Sequence, residues 1–293
     1  PEVRELQAQM AMKYGIEGFS YWHYWFGNGR RILERVFDEV LKSGKPDYPF
    51  CLAWANTSWT GHWYGCGKKM LIEQKYGGIE DYSNHFYAIL PAFHDKRYIR
   101  VNNHPIFLIY HPWEIPNPRE FTDTWRNLAI KEGIDDIYFV GIENNNKNIE
   151  SYGMQGYTWH EPNSHNQIVE NYFTERLRKF KFKELPTRYS YSDFVDAVLN
   201  ESLNFNQFPL VMSNWDNTPR SGRHGLVFEN STPELFRRHL RKGISLVEGR
   251  SYEERIIFLK SWNEWAEGNY VEPDQLYGSD YLKVIQGEIL VER

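Results

Sequence analysis

The sequence predicts an α/β fold of the (β/α)8, TIM-like class, and three observations carry that prediction. Seven short runs rich in β-branched and aromatic residues alternate with helical patterns, which implies a parallel sheet. Chemistry-bearing side chains stand at the end of nearly every run. A barrel gathers such ends at one mouth, whereas an open sheet joins only a few at a switch point. The 293 residues also fit one barrel, commonly of about 250 residues, so 1–293 reads as a single domain. Because only seven strands are visible, the eighth is expected upstream of Pro1, and the chain is expected to be N-terminally truncated and less stable for it.

Each element has a local justification. Val3, Leu6, Met10 and Tyr14 mark one face of an opening helix that stops at Gly15. The first strand lies in "IEGFSYWHYW" (16–25). Tyr21, His23 and Trp25 share one face there and Trp22 and Tyr24 the other, one set for the core and one for the helices. His23 reads either as a buried, hydrogen-bonded core histidine or as a substrate contact. The runs "FCLAWAN" (50–56), "PIFLIYH" (105–111) and "DIYFVGIE" (136–143) follow, then a weaker "GYTWH" (156–160), "FPLVMSNW" (208–215) and "IIFLKSW" (256–262). Asn117 caps a helix with Pro118 at its first position, Phe121, Trp125 and Leu128 on its core face and Gly133 at its end. In "STPELFRRHLRKG" (231–243), Ser231 and Glu234 read as a capping box.

Composition excludes several functions. The net charge of −5 without a Lys/Arg block argues against nucleic-acid binding by a basic face. No apolar run approaches the ~18 residues of a membrane span, and no charged-then-apolar leader precedes the first helix. Neither G-x-G-x-x-G nor G-x-x-x-x-G-K-[ST] follows a strand, so no dinucleotide or P-loop cofactor is expected. His111, Glu143 and His160 lack the spacing of a metal motif, so hydrogen bonding is their expected role and no metal is expected. Cys51 and Cys66 cannot form a disulfide framework and leave the redox compartment open. Rings make up 17% of the chain, serving either as core or as flat platforms for a ligand.

The strand ends supply the candidate site. Tyr24, Trp25, Trp54, Asn56, Trp59, His111, Glu143, His160, Trp215, Asp216, Trp262, Asn263 and Trp265 are expected to line one mouth as substrate contacts, and Glu161 follows His160 at the same strand end. Glu264 and Glu267, in "SWNEWAEGNYVEPD", are the candidate catalytic pair. Two carboxylates at one mouth suit glycoside chemistry, in which one protonates the leaving oxygen and the other stabilises or generates the intermediate. Trp262 and Trp265 would raise one carboxyl pKa by desolvation and offer apolar faces to a sugar. In "SNWDNTPRSGRHG" (213–225), Arg220 and Arg223 either grip an acidic glycan or pair with nearby acids.

The same residues carry a resemblance. "SWNEWAEGNYVEP" resembles the glutamate-bearing NEWHEG segment of glycoside hydrolase family 99, the endo-acting α-mannosidases and α-mannanases. Across essentially the whole chain, "YGIEGFSYWHYWFGNGRRILERVFDEVLKSGKPDYPFCLAWAN", "LIEQKY", "PAFHDKRYIRVNNHPIFLIYHP" and the C-terminal segment are similar to bacterial WbsX-type proteins of polysaccharide gene clusters, described as glycosyltransferases. The resemblance implies a mechanism in which the substrate's own 2-hydroxyl attacks C1. Glu264 would take or polarise that hydroxyl proton, remaining ionised through a bond from Asn263 or a tyrosine, while Glu267, with a raised pKa, would be acid and then base. Ala266 departs from the family 99 histidine and puts the particular sugar in question. A retaining endo-glycosidase on α-linked bacterial glycans is the first reading. A glycosyltransferase of lipopolysaccharide or capsule synthesis is the second, although no D-x-D pair is present to hold its usual metal. A non-catalytic glycan-binding domain is the third, and it would not need the glutamates. The compartment follows the role, cytoplasmic for synthesis and periplasmic or secreted for degradation.

Overall fold

The computed structural model describes residues 1–61, 69–142, 149–159, 185–200, 202–204 and 206–290. The chain divides into two compact units, one of Pro1–Thr60 with Lys69–His160 and the other of the remainder.

The first unit runs α1 (Glu2–Lys13), β1 (Phe19–His23), α2 (Arg35–Ser43), β2 (Phe50–Trp54), α3 (Gly78–Phe93), β3 (His104–Ile109), α4 (Pro118–Lys131), β4 (Tyr138–Ile142) and β5 (Gly156–Thr158). Its strands pair in parallel and in chain order, β1 with β2, β2 with β3, β3 with β4 and β4 with β5. All residues of β2, β4 and β5 are buried, as expected for a parallel sheet with both faces covered. The helix at 118 has the expected cap: the Asn117 side chain accepts from Glu120 N–H, and Phe121 and Trp125 are buried.

Two expectations change. Helix α1 buries Ala8 and Ala11, not the Val3–Leu6 face, which lies open at 66% and 62% exposure. The alanines let the helix pack closely, whereas the sequence pattern weighs only hydrophobicity. In β1 Tyr21 packs on Phe37 and Phe50, but Trp22 is exposed and touches Tyr110 edge to face.

His23 takes the core alternative. Its Nε2 lies 2.9 Å from Nε2 of His85, and Trp25 stacks on the His85 ring at 4.8 Å. Burial pushes His23 down to about 3, helped by the Arg31 charge, and holds His85 well below its ordinary value. Both rings are therefore neutral in the folded protein, while in the unfolded chain they titrate near ~6.5. The unfolded state then binds more protons in acid. The stability that these neutral rings contribute is complete above about pH 6.5 and is lost as the pH falls below it, for His23 at about 1.4 kcal/mol per pH unit toward pH 3, with His85 adding a loss of the same sign. Urea midpoints should drop across that window and drop less steeply in a His23→Gln variant. Parallel curves for the two proteins would contradict the assignment.

The second unit contains β6 (Thr187–Ser190), α5 (Tyr191–Leu199), β7 (Leu210–Met212), α6 (Thr218–Ser221), β8 (Leu226–Glu229), α7 (Pro233–Val247), β9 (Phe258–Lys260), β10 (Asn263–Glu264), β11 (Asn269–Tyr270) and α8 (Asp280–Ile289). Strands β7 and β9 pair in parallel, as do β6 and β8. A core of Tyr191, Phe194, Val198, Met212, Trp215 and Phe228 joins these elements.

Helix α7 corrects the sequence reading at its N-terminus and runs beyond the quoted segment. Its cap is Thr232, whose side chain accepts from Leu235 N–H, with Pro233 at the first position. The displaced Ser231 instead accepts from Tyr277 Oη through its carbonyl. The helix also runs through Gly243 to Val247, and a Cβ at 243 would stand 2.9 Å from Val211 Cγ2. This glycine permits close helix–strand packing and does not end the helix.

Candidate active site

Strand β9 delivers the chain to a short antiparallel hairpin in which Asn263 faces Tyr270 and Glu264 faces Asn269. The hydroxyl of Ser261 fastens its base, donating to the Asn269 carbonyl at 2.6 Å and accepting from Glu264 N–H at 3.0 Å. Between the strands a tight turn, Trp265–Glu267, ends on Gly268 in the left-handed region at φ 61°. Asp216 N–H donates to the Glu267 carbonyl at 2.7 Å, bringing the 216 backbone so near that a Cβ at 268 would lie 2.8 Å from Asp216 N.

Glycine at 268 thus meets two demands, a positive φ and a close backbone approach. Gly268→Ala should cost about 2 kcal/mol or more, since the left-handed conformation alone costs roughly 1–2 kcal/mol and the backbone contact must also open. Denaturant melts of the variant would measure the loss, and unchanged stability would mean that the turn can reshape.

The two glutamates share one cation. Arg220 Nη2 donates to Glu264 Oε1 at 2.7 Å and Nη1 to Glu267 Oε1 at 3.0 Å. Its position is set by the loop before it: Asp216 Oδ1 accepts from Thr218 N–H and Oγ, starting α6, and Asn217 Oδ1 accepts from Leu226 N–H, closing the loop. Because the guanidinium's terminal nitrogens share one carbon, the two Oε1 atoms lie inside the ~9.5 Å reach of paired glycosidase carboxylates.

Burial pushes the Glu264 carboxyl up, and this outweighs the downward pull of Arg220; the Glu267 charge adds to the rise and Lys260 opposes it. The upward shift therefore falls on the carboxyl expected to remain freely ionised. Asn263 is exposed, and the charged donor to Glu264 is Arg220. Arg220 itself follows the acid-pairing alternative. The exposed Arg223 donates from Nε to His224 Nε2 at 3.2 Å.

The remaining candidates separate into interior and accessible groups. Trp215 is buried in the second unit's core, with Lys260 Nζ 4.6 Å from its ring centre. Trp25, Trp54 and Asn56 are 3%, 1% and 0% exposed, so they are packed within the first unit instead of standing open to a ligand. Trp54 Nε1 donates to the Trp25 carbonyl, and Trp25 Nε1 to Asp81. The Asn56 amide bonds both the N–H and the C=O of His111 at 2.8 Å, locking two strand ends together. Tyr24 packs edge to face on Trp59, and His111 stacks between Tyr110 and Trp113. These three candidates are partly exposed, as is Trp262. Glu143, His160 and Glu161 lie outside the described residues.

Sequence reasoning missed Glu272, which accepts from both site indoles, Trp262 Nε1 at 2.9 Å and Trp265 Nε1 at 2.8 Å. The available signal was its place just past the returning strand of a hairpin too short to show period-two alternation.

A family model described as Glycosyltransferase WbsX matches residues 1–285. The chain belongs to the WbsX family. It is therefore a carbohydrate-active protein by family, and no helix among its described residues is long and apolar enough to cross a membrane. The uncharacterized protein WxcX of Xanthomonas campestris pv. campestris is 28% identical over 96% of this chain in each of strains B100 and ATCC 33913. The WbsX chain spans about 40% of the length of these curated relatives. Among solved structures, a glycoside hydrolase-like protein matches with a TM-score of 0.61 at 16% identity, over 98% of this chain and 85% of its own. The GH99 endo-α-mannosidase of Bacteroides thetaiotaomicron matches with a TM-score of 0.58 at 16% identity, over 100% and 79% of the two chains. At that identity the likeness establishes fold alone, and the α/β, TIM-like class expected from the sequence is the class these proteins share.

Proposed function

We propose that this WbsX chain is a retaining endo-glycosidase domain, spanning 1–293, that acts on α-linked glycans through Glu264, Glu267 and the substrate's 2-hydroxyl. The observation that supports this most is the single guanidinium holding one oxygen of each glutamate, which aims two carboxyl groups at one space.

In the first step Glu264 takes the proton of the 2-hydroxyl as that oxygen bonds to C1, and the C1–O bond to the leaving sugar breaks. Its raised pKa makes Glu264 a stronger proton acceptor than an ordinary carboxylate at a pH that keeps it ionised. Glu267 gives its proton to the departing oxygen. In the second step Glu267 takes a proton from water as the water oxygen attacks C1, the C1–O2 bond breaks, and Glu264 returns its proton to O2. Two displacements at C1 restore the starting configuration. Arg220 aligns the pair in the free protein, and its bond to Glu267 must loosen before that carboxyl carries the proton.

The family description favours a second reading, in which the hydroxyl of an acceptor sugar replaces water in the second step and the outcome is glycosyl transfer. Incubation with α-linked oligosaccharides and α-glycosyl fluorides, followed by mass analysis, separates the two. Hydrolysed sugars support the first reading, and lengthened chains support transfer. Unchanged substrates throughout would count against both.

A further inference from the structure

Trp265 is held at two points by its own segment. Tyr270 stacks on one face of the indole at 3.7 Å between ring centres, with planes 18° apart, and Glu272 ties down its N–H. The residue is nevertheless 45% exposed, and since Tyr270 covers only one face of the indole, ring surface remains open to a ligand. The other oxygen of Glu272 holds Trp262 Nε1, so one carboxylate fixes both indoles flanking Asn263 and Glu264. With their only polar hydrogens engaged, these rings have only π surface to offer a ligand, the surface that the apolar face of a pyranose ring covers. A platform fixed before binding loses little side-chain freedom when a sugar settles on it.

We infer that Glu272 is a positioning residue that sets Trp265, backed by Tyr270, as a pyranose-stacking platform beside Glu264 and Glu267. The inference rests on the glycan-processing reading for the identity of the ligand, though not on bond cleavage. Without the carboxylate, Trp265 is free to rotate on its Cα–Cβ and Cβ–Cγ bonds and the stacking face is no longer presented.

The test is calorimetric titration of Glu267→Gln protein, which leaves the probe intact, with α-linked gluco- and manno-oligosaccharides of graded length. Adding Glu272→Ala should weaken binding of the best probe about tenfold, and Trp265→Ala should do so by a similar factor, since stacking pairs are worth roughly that much. With both changes together the loss should be clearly smaller than the product of the two single losses, because Glu272 acts largely through that ring. Glu272→Gln keeps one acceptor oxygen and the side-chain volume, and should recover part of the affinity. In protein that retains Glu267, the effect should fall on KM rather than kcat. Additive losses, wild-type affinity in Glu272→Ala, or no affinity for any probe would overturn the platform. Probes bound through Trp265 but never cleaved would refute the catalytic reading alone. Cleavage with affinity untouched by these substitutions would refute the platform alone.

Discussion

Glu264→Gln should lower kcat/KM by about 10²–10⁴-fold, the usual range for a lost general acid or base, and should do so on oligosaccharides and on α-glycosyl fluorides alike. The reason is that the 2-hydroxyl must lose its proton as it attacks, whatever group departs. Glu267→Gln should differ. Its proton is needed by a sugar alkoxide and hardly at all by fluoride, so oligosaccharide cleavage should fall by a comparable factor while fluoride turnover largely survives. Each substitution removes one carboxylate from Arg220 and leaves the other in place, so the contrast between substrates reads the role of each acid. The reverse contrast, with Glu264→Gln sparing fluoride, would exchange the two roles.

Arg220 should prove nearly as important through geometry and charge. Its guanidinium bonds Glu264 and Glu267 at 2.7 and 3.0 Å and draws the Glu264 carboxyl downward against the upward push of burial. In Arg220→Met that downward pull is gone, so the Glu264 pKa should rise further. Since Glu264 works ionised, the acidic limb of the pH–rate profile should move to higher pH. The pair should also lose its alignment, and a misplacement of about 1 Å can cost about 10²-fold in rate. Arg220→Lys keeps the charge but cannot reach both carboxylates with a planar fork; it should restore the position of the limb more than the rate. A profile unmoved in Arg220→Met would show that the guanidinium leaves the glutamates during turnover.

The strands were legible because each is a short run with its turn chemistry beside it, and all seven apolar runs contain an observed strand. The parallel pair β6 and β8 was not, since "TRYS" and "LVFE" are too short to carry a period. The face of α1 misled for a related reason: alanine is a weak hydrophobic signal, yet it is the residue that lets a helix pack closely. At the site, the carboxylates and indoles stood out because charge and large rings rarely share a corner. What joins them did not. Arg220 lies 44 residues from Glu264 in sequence, and a loop arginine looks the same whether it meets a ligand or an acid. Trp25, Trp54 and Asn56 sit at strand ends, where sequence alone cannot tell a side chain facing a pocket from one knitting two strands together.

The central claim is that the substrate's own 2-hydroxyl, relieved of its proton by Glu264, performs the first displacement. The measurement that tests it most directly is the rate of fluoride release from an α-glycosyl fluoride and from its 2-deoxy counterpart, each with the unmodified protein. The first should turn over and the second should not; equal turnover of both would rule out the 2-hydroxyl as nucleophile and leave only a direct two-carboxylate displacement.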